Sequence, residues 1–256
     1  MDIVRRLFDL AGRIAVVTGG NSGIGRAIAE AYAEAGAEVV VVARRTAELD
    51  ATVAGIRNSG GRASALACDL AQRDALARCA AAAREPFGDP DILVNAAGVN
   101  IRRPLPEVAD ADWDTTLAIN LSAPFFLAQR FAPAMIAKGW GRLINIASLQ
   151  SVRALPKSAA YGASKGGIMQ LTRAMAEAFS KHGVTCNAIA PGFFPTPLTA
   201  PIFADPVRVK AMAERTMVGR NGELADLHGT AIYLASRASD YVTGQTIFVD
   251  GGFSAG

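Results

Sequence analysis

Between positions 14 and 249, short apolar runs alternate with longer helix-patterned stretches, and few architectures accept that order. The runs are residues 14–17, 39–42, 63–68, 92–94, 143–146, 184–189 and 247–249. Residues 39–42 read VVVV with no polar alternation, as a strand covered on both faces requires. Helical patterns fill 25–35, 71–84, 112–137, 158–182 and 223–236. Gly36 supplies a stop for the first, and Pro86 follows the second. The third is long and contains Pro124 and Pro133, so a bend is expected at one of them. The expected fold class is α/β, with a doubly wound parallel sheet of about seven strands and helices on both faces.

The length of 256 residues suits one such domain, residues 1–256, and no repeat, linker or low-complexity tract divides it. Residues 1–10 are expected to form a short extension. Residues 191–206 read PGFFPTPLTAPIFADP, a proline-rich loop, and a substrate lid is expected over about 191–217. The formal charge of +3 comes from interspersed acids and bases, which points away from a nucleic-acid partner. The opening MDIVRRLFDLAGR lacks the long apolar run of a secretory signal, and no stretch approaches the ~20 apolar residues of a membrane span. Cys68, Cys79 and Cys186 share no metal-site or disulfide spacing, so reduced, mostly buried thiols in a cytoplasmic protein are expected, with no metal.

Chemistry enters at TGGNSGIG, residues 18–25, which follow the first apolar run and open the first helix. Gly19 permits a tight turn, Gly23 lets main chain approach a pyrophosphate, and Gly25 lets helix and strand pack closely. The free N–H groups of the helix start then face the phosphates. A dinucleotide site of this kind selects NAD through an acidic residue at the end of the second strand. Here the chain reads Ala43-Arg44-Arg45, with no carboxylate and with Arg44 able to fork onto a 2′-phosphate. NADP is therefore expected over NAD.

Tyr161 and Lys165 lie four residues apart on one predicted helix and so share a face. An ordinary phenol titrates near 10, and a neighbouring ammonium is expected to lower it. Ser148 follows an apolar strand, which puts its hydroxyl at the carboxyl edge of the sheet, where open α/β folds bind ligands. Asn120, set among Leu117, Ile119 and Leu121, carries an amide that needs partners, and a held water is one of them.

Together these segments resemble the short-chain dehydrogenase/reductase family, a single-domain Rossmann fold, over essentially the whole chain. TGGNSGIG, the NAAG of residues 95–98, Asn120, Ser148, the Tyr161/Lys165 pair and the stretch from Pro191-Gly192 to Thr196 match in order and spacing. The resemblance implies that Ser148 polarises the substrate oxygen and that Tyr161 is the general acid/base. It implies that Lys165 lowers the tyrosine and bonds the nicotinamide ribose, while Asn120 holds a water linking Lys165 to solvent. It also assigns the cofactor to Gly19, Asn21, Ser22, Gly23, Ile24 and Gly25, to Asp69 and Leu70 at adenine, to Asn95, Ala97 and Gly98 beside the ribose, and to Pro191, Gly192, Phe194 and Thr196 at the carboxamide. A departure is Ala96, where many relatives have a second asparagine.

Within that family the LFDLAGR opening, Arg102-Arg103, Ser148-Leu149-Gln150-Ser151, APGFFPT and the C-terminal LASRASDYVTGQTIFVDGG resemble the gluconate 5-dehydrogenase and 2-deoxygluconate dehydrogenase branch. The opening and the tail are shared with 3-oxoacyl carrier-protein reductases, so the discrimination rests on Arg102, Arg103 and Gln150-Ser151. Arginine suits a sugar-acid carboxylate, and amide and hydroxyl suit a polyol. Interface salt bridges are the other reading of the two arginines. A keto-acyl thioester reductase and a non-catalytic dinucleotide-binding regulator are the alternative functions. The family also implies a homotetramer packed through the two long helices and the last strand.

Overall fold

A computed structural model describes residues 3–256. Seven strands form one parallel sheet: β1 (Ile14–Thr18), β2 (Glu38–Ala43), β3 (Arg62–Ala67), β4 (Ile92–Asn95), β5 (Gly141–Ile146), β6 (Val184–Pro191) and β7 (Thr246–Val249). Their spatial order is β3-β2-β1-β4-β5-β6-β7, so the winding reverses between β1 and β4. The carboxyl edge at such a reversal leaves a crevice.

The helices are α1 (Ile3–Phe8), α2 (Gly23–Glu34), α3 (Thr46–Asn58), α4 (Arg73–Ala82), α5 (Asp110–Leu117), α6 (Ala123–Lys138), α7 (Ala159–Phe179), α8 (Ala200–Phe203), α9 (Pro206–Glu214) and α10 (His228–Ala235). They cover both sheet faces. Val39 and Val41 of β2 pack with Ile28 and Tyr32 of α2, Val53 of α3 and Leu234 of α10. Val40 and Val42 point the other way, onto Leu76 of α4, Leu127 and Phe131 of α6 and Met175 of α7. Two buried faces explain why VVVV does not alternate.

Three expectations need correction. Residues 112–137 are not one helix bent at a proline. A π turn, Ala118–Ser122, separates α5 from α6, and Pro124, which has no N–H for the Asn120 carbonyl, lies just beyond it. Helix α3 was not expected, although Leu49, Val53 and Ile56 already mark its buried stripe. The lid stretch is not plain loop: Pro191 ends β6, and α8 and α9 follow, the latter capped by the Asp205 carboxylate, which accepts from the N–H groups of Val207 and Arg208. The short extension expected over 1–10 is ordered where it is described. Residues 3–8 are helical and Leu10 is wholly buried, while residues 1 and 2 lie outside the described part. Cys79 and Cys186 are buried and Cys68 half-buried, all three free. Among the described residues no helix is long and apolar enough to cross a membrane.

Candidate active site

A cleft of about 1000 Å³ opens along the carboxyl edge at the reversal. Its β1 end is made of main chain. Gly19 sits at φ +68°, and a Cβ there would lie 2.7 Å from the Ala97 main chain. Gly23, at φ +53°, faces Thr196 of the lid, and a Cβ on Gly25 would lie 2.4 Å from the Gly19 carbonyl oxygen. Side chains are thus excluded where a flat, extended ligand lies against the turn, and the cleft volume suits a dinucleotide.

The end of β2 adds charge. Arg44 is exposed, lines the cleft and has no carboxylate partner among the described residues. Arg45, which the sequence did not single out, reaches back over the glycine turn. The Asn21 amide oxygen accepts from its guanidinium at 2.8 and 3.2 Å, its Nη2 lies 3.4 Å from the Ser22 hydroxyl, and it pairs with Glu48 at 2.9 Å. Ser22, Ile24, Asp69, Leu70, Ala97, Gly98, Pro191, Gly192, Phe194 and Thr196 all line the cleft. Asn95 does not. Its amide is buried in the sheet and donates to the Asn145 oxygen at 2.9 Å, and Asn145 donates in turn to Thr172 of α7. The expected role at the ribose is therefore replaced by a strut joining β4, β5 and α7.

At the centre, Tyr161 and Lys165 share the buried face of α7, with the ammonium 5.6 Å from the ring centre. Lys165 Nζ donates to the Ile146 carbonyl at 2.5 Å. Ser148 begins the single turn Leu149–Ser151, where its hydroxyl accepts from Gln150 N–H. Ser151 Oγ accepts from Ser148 N–H and donates to the Lys165 carbonyl at 2.7 Å, which locks this turn to α7. Ser151 is therefore spent inside the protein and is not available to a polyol.

The electrostatics differ from the sequence expectation. Burial raises the Tyr161 phenol above its ordinary value, while the facing Ser148 hydroxyl and the Arg102 charge pull it back. Burial lowers Lys165 itself to about 8. The cause is desolvation, because the ammonium is held away from water. Asn120 lies beneath the cleft, where Oδ1 accepts from Val99 N–H and Nδ2 donates to the Val99 carbonyl and to Ser164 Oγ. Both amide donors are thus spent on protein, while Oδ1 keeps one lone pair.

The substrate end separates the two candidate arginines. Arg102 lines the cleft; Arg103 points away to Asp112, 3.4 Å distant and exposed. Gln150 lines the cleft with a buried, unpartnered Oε1. Lys157, Arg208 and Arg215 also line it and were missed. For the last two a signal existed, because Asp205-Pro206 is a helix-start pair and positions 208, 212 and 215 then share a face. The only carboxylate among the described lining residues is Asp69, near the β1 end.

Comparison with known proteins gives the same picture from outside. A family model described as enoyl-(acyl carrier protein) reductase matches residues 19–254. Gluconate 5-dehydrogenase of Gluconobacter oxydans is 41% identical over 248 residues, spanning 97% of each chain. The 2-dehydro-3-deoxy-D-gluconate 5-dehydrogenase of Escherichia coli is 40% identical over 249 residues, 97% of this chain and 98% of its own. The crystal structure of a gluconate 5-dehydrogenase from Burkholderia cenocepacia in complex with NADP and tartrate superposes with a TM-score of 0.94 at 38% identity, covering 99% of both chains.

Proposed function

Because the chain belongs to the short-chain dehydrogenase/reductase family, we propose that it interconverts a secondary alcohol and a ketone on a sugar acid, using NADP in preference to NAD. The observation that carries this reading is Arg102: a guanidinium on the cleft wall, without a carboxylate partner among the described residues and near enough to Tyr161 to act on its phenol. Such a group holds a substrate carboxylate beside the reacting carbinol.

The glycine turn and the start of α2 hold the diphosphate, Arg44 the 2′-phosphate, Asp69 and Leu70 the adenine side, Lys165 the nicotinamide ribose, and Phe194 and Thr196 the carboxamide. When bound, the cofactor supplies or accepts the hydride. In reduction Tyr161 Oη gives its proton to the substrate oxygen, and in oxidation it takes that proton. Ser148 Oγ donates to the same oxygen, and its cap position fixes where the hydroxyl stands. Gln150 Oε1 accepts from a substrate hydroxyl. Lys165 presents positive charge on the Tyr161 side of the site. Asn120 ties residue 99 to Ser164 and so holds the floor. A water linking Lys165 to solvent falls to the Asn120 main-chain carbonyl, to which Pro124 has no N–H to donate.

Residues 3–256 act as one catalytic unit, with about 191–217 as its lid. A homotetramer in the cytoplasm completes the proposal. Half-exposed Trp113 on α5 and Phe125 on α6, and the sheet edge at β7, support subunit packing, and the free thiols support a reducing compartment. The test is a kinetic screen of gluconate, 2-deoxygluconate, 5-ketogluconate and a 3-oxoacyl thioester, each with both cofactors. Turnover of a sugar acid with NADP(H) is expected; selective turnover of the thioester would replace this reading by a keto-acyl reductase.

A further inference from the structure

The substrate end of the cleft carries more positive charge than a monoacid neutralises. Arg102 and Lys157 stand on one wall, their segments tied by Arg103 N–H donating to the Lys157 carbonyl at 3.0 Å. Lys157 is the only residue besides glycine with positive φ among those described, at +61°. A left-handed lysine costs about 1–2 kcal/mol, and such outliers persist where the surroundings impose them, often at ligand sites. The lid forms the other wall: Arg208, Met212 and Arg215 lie on one face of α9 or just past its end, and all line the cleft.

None of these four cations has a carboxylate partner among the described residues, and Arg215 instead lies 4.3 Å over the Phe253 ring. The same lid does pair an outward charge, Lys210 with Glu214 at 3.7 Å, and just beyond it Arg220 is bidentate with Asp226. Acids are thus present on the lid but absent from its inner face. Closing such a lid on a singly charged ligand strands cations in a site with little water, which is unfavourable unless a further anion meets them.

We propose that Arg208 and Arg215 form a second anion subsite on the lid, so that the preferred substrate is a polyhydroxy acid with an anionic group at each end, a second carboxylate or a phosphate monoester. This rests on the sugar-acid reading above. Hydride and proton leave the same carbinol as before, the proton to Tyr161, and the distal anion takes no part in bond-making. The subsite therefore acts on KM rather than kcat.

The test compares wild type with the double variant Arg208→Gln/Arg215→Gln on three six-carbon substrates: an aldonate, the aldarate with a carboxylate at each end, and the aldonate 6-phosphate. Affinity for NADP is titrated in parallel. For wild type, kcat/KM for one dianion is expected to exceed that for the aldonate by about tenfold or more, the equivalent of one charge-assisted contact. The double variant should lose that advantage through KM, leaving aldonate turnover and NADP affinity within about twofold, the size of effect seen for substitutions that touch neither ligand. Lys210→Gln on the outer face should change nothing. Which dianion wins identifies the group. Equal loss on all three substrates, weaker NADP binding, or no dianion advantage in wild type would overturn the subsite. Turnover of no sugar acid at all would instead overturn the parent reading.

Discussion

At the β1 end of the cleft the walls are main chain, while at the lid end they are long charged side chains. Gly19 and Gly25 leave no room for a Cβ, Gly23 adopts a left-handed φ, and the surface they make is fixed by φ angles and close atomic approach. Arg102, Lys157, Arg208 and Arg215 make the other surface, and each can change rotamer or be replaced without moving the backbone. Tyr161, Ser148 and Lys165 stand between, buried like the first and side-chain-based like the second. A main-chain site recognises what every ligand of the class shares, and a side-chain site recognises what distinguishes one ligand from another. The two ends should therefore fail differently when altered.

The largest effect belongs to the centre. Tyr161→Phe removes one hydroxyl from a buried ring, so fold and cofactor affinity should survive while kcat falls about 10²–10⁴-fold, the usual worth of a positioned acid/base. Stopped-flow turnover beside an NADP titration checks this, and near wild-type kcat would assign the proton to another group. The pH dependence has a definite sign. Oxidation needs the deprotonated phenol, so its rate rises with pH, and reduction falls. Burial holds the phenol high and Lys165 near 8. Lys165→Met removes a positive charge from the site and should move the oxidation limb to higher pH. An unmoved limb would show that Lys165 does not act on Tyr161.

Next comes the main-chain end. Gly25→Ala places a methyl 2.4 Å from the Gly19 carbonyl oxygen, so turn and helix must separate. Overpacking of this kind costs about 1–3 kcal/mol. Both NADP and NAD should weaken together, because the damaged element is the turn that either cofactor needs. A selective loss of one would mean that the turn reads the ribose phosphate.

The same contrast explains what could be read beforehand. Glycine spacing, the VVVV strand and the four-residue step from Tyr161 to Lys165 are consequences of backbone geometry, which sequence carries directly. The doubly wound parallel sheet of about seven strands followed from them. Which way an arginine points is not so carried. Arg102 and Arg103 are adjacent and identical in type, yet one enters the cleft and the other meets Asp112. Asn95 and Asn120 matched family positions, but the structure turns the Asn95 amide into the sheet and commits the Asn120 amide donors to Val99 and Ser164. The left-handed backbone of Lys157 has no sequence signature, since lysine is a poor choice there. Helices α3 and α9 were legible through an apolar stripe and an Asp-Pro start.

A smaller effect tests the border between the two ends. Arg44→Ala should weaken NADP by about tenfold or more, a loss of roughly 1.5–3 kcal/mol for a charge-assisted contact, and leave NAD nearly unchanged. Arg45→Ala differs. Its guanidinium is engaged with Asn21 and Glu48, so its loss should loosen the glycine turn and weaken both cofactors modestly. Paired titrations of both variants with both cofactors read the difference. If Arg45→Ala alone is NADP-selective, the 2′-phosphate sits on Arg45.

The smallest effect is the sharpest test of the lid end, because it asks two neighbouring arginines to behave oppositely. Arg103 forms an exposed pair with Asp112, and exposed pairs contribute about 0–1 kcal/mol. Its other link to the site is the main-chain bond to the Lys157 carbonyl, which no side-chain substitution removes. Arg103→Ala should therefore leave KM for a sugar acid within about twofold and stability nearly unchanged, as surface substitutions usually do. Arg102→Ala should raise KM for an anionic sugar acid far more than for a neutral polyol, since only the former loses a charge partner. It should also shift the oxidation limb to higher pH, because its charge favours the Tyr161 phenolate. The measurement is KM for both substrate types in both variants. Equal, small effects at the two positions would place the substrate carboxylate elsewhere, and a large effect at Arg103 would mean that its pairing with Asp112 opens when substrate enters.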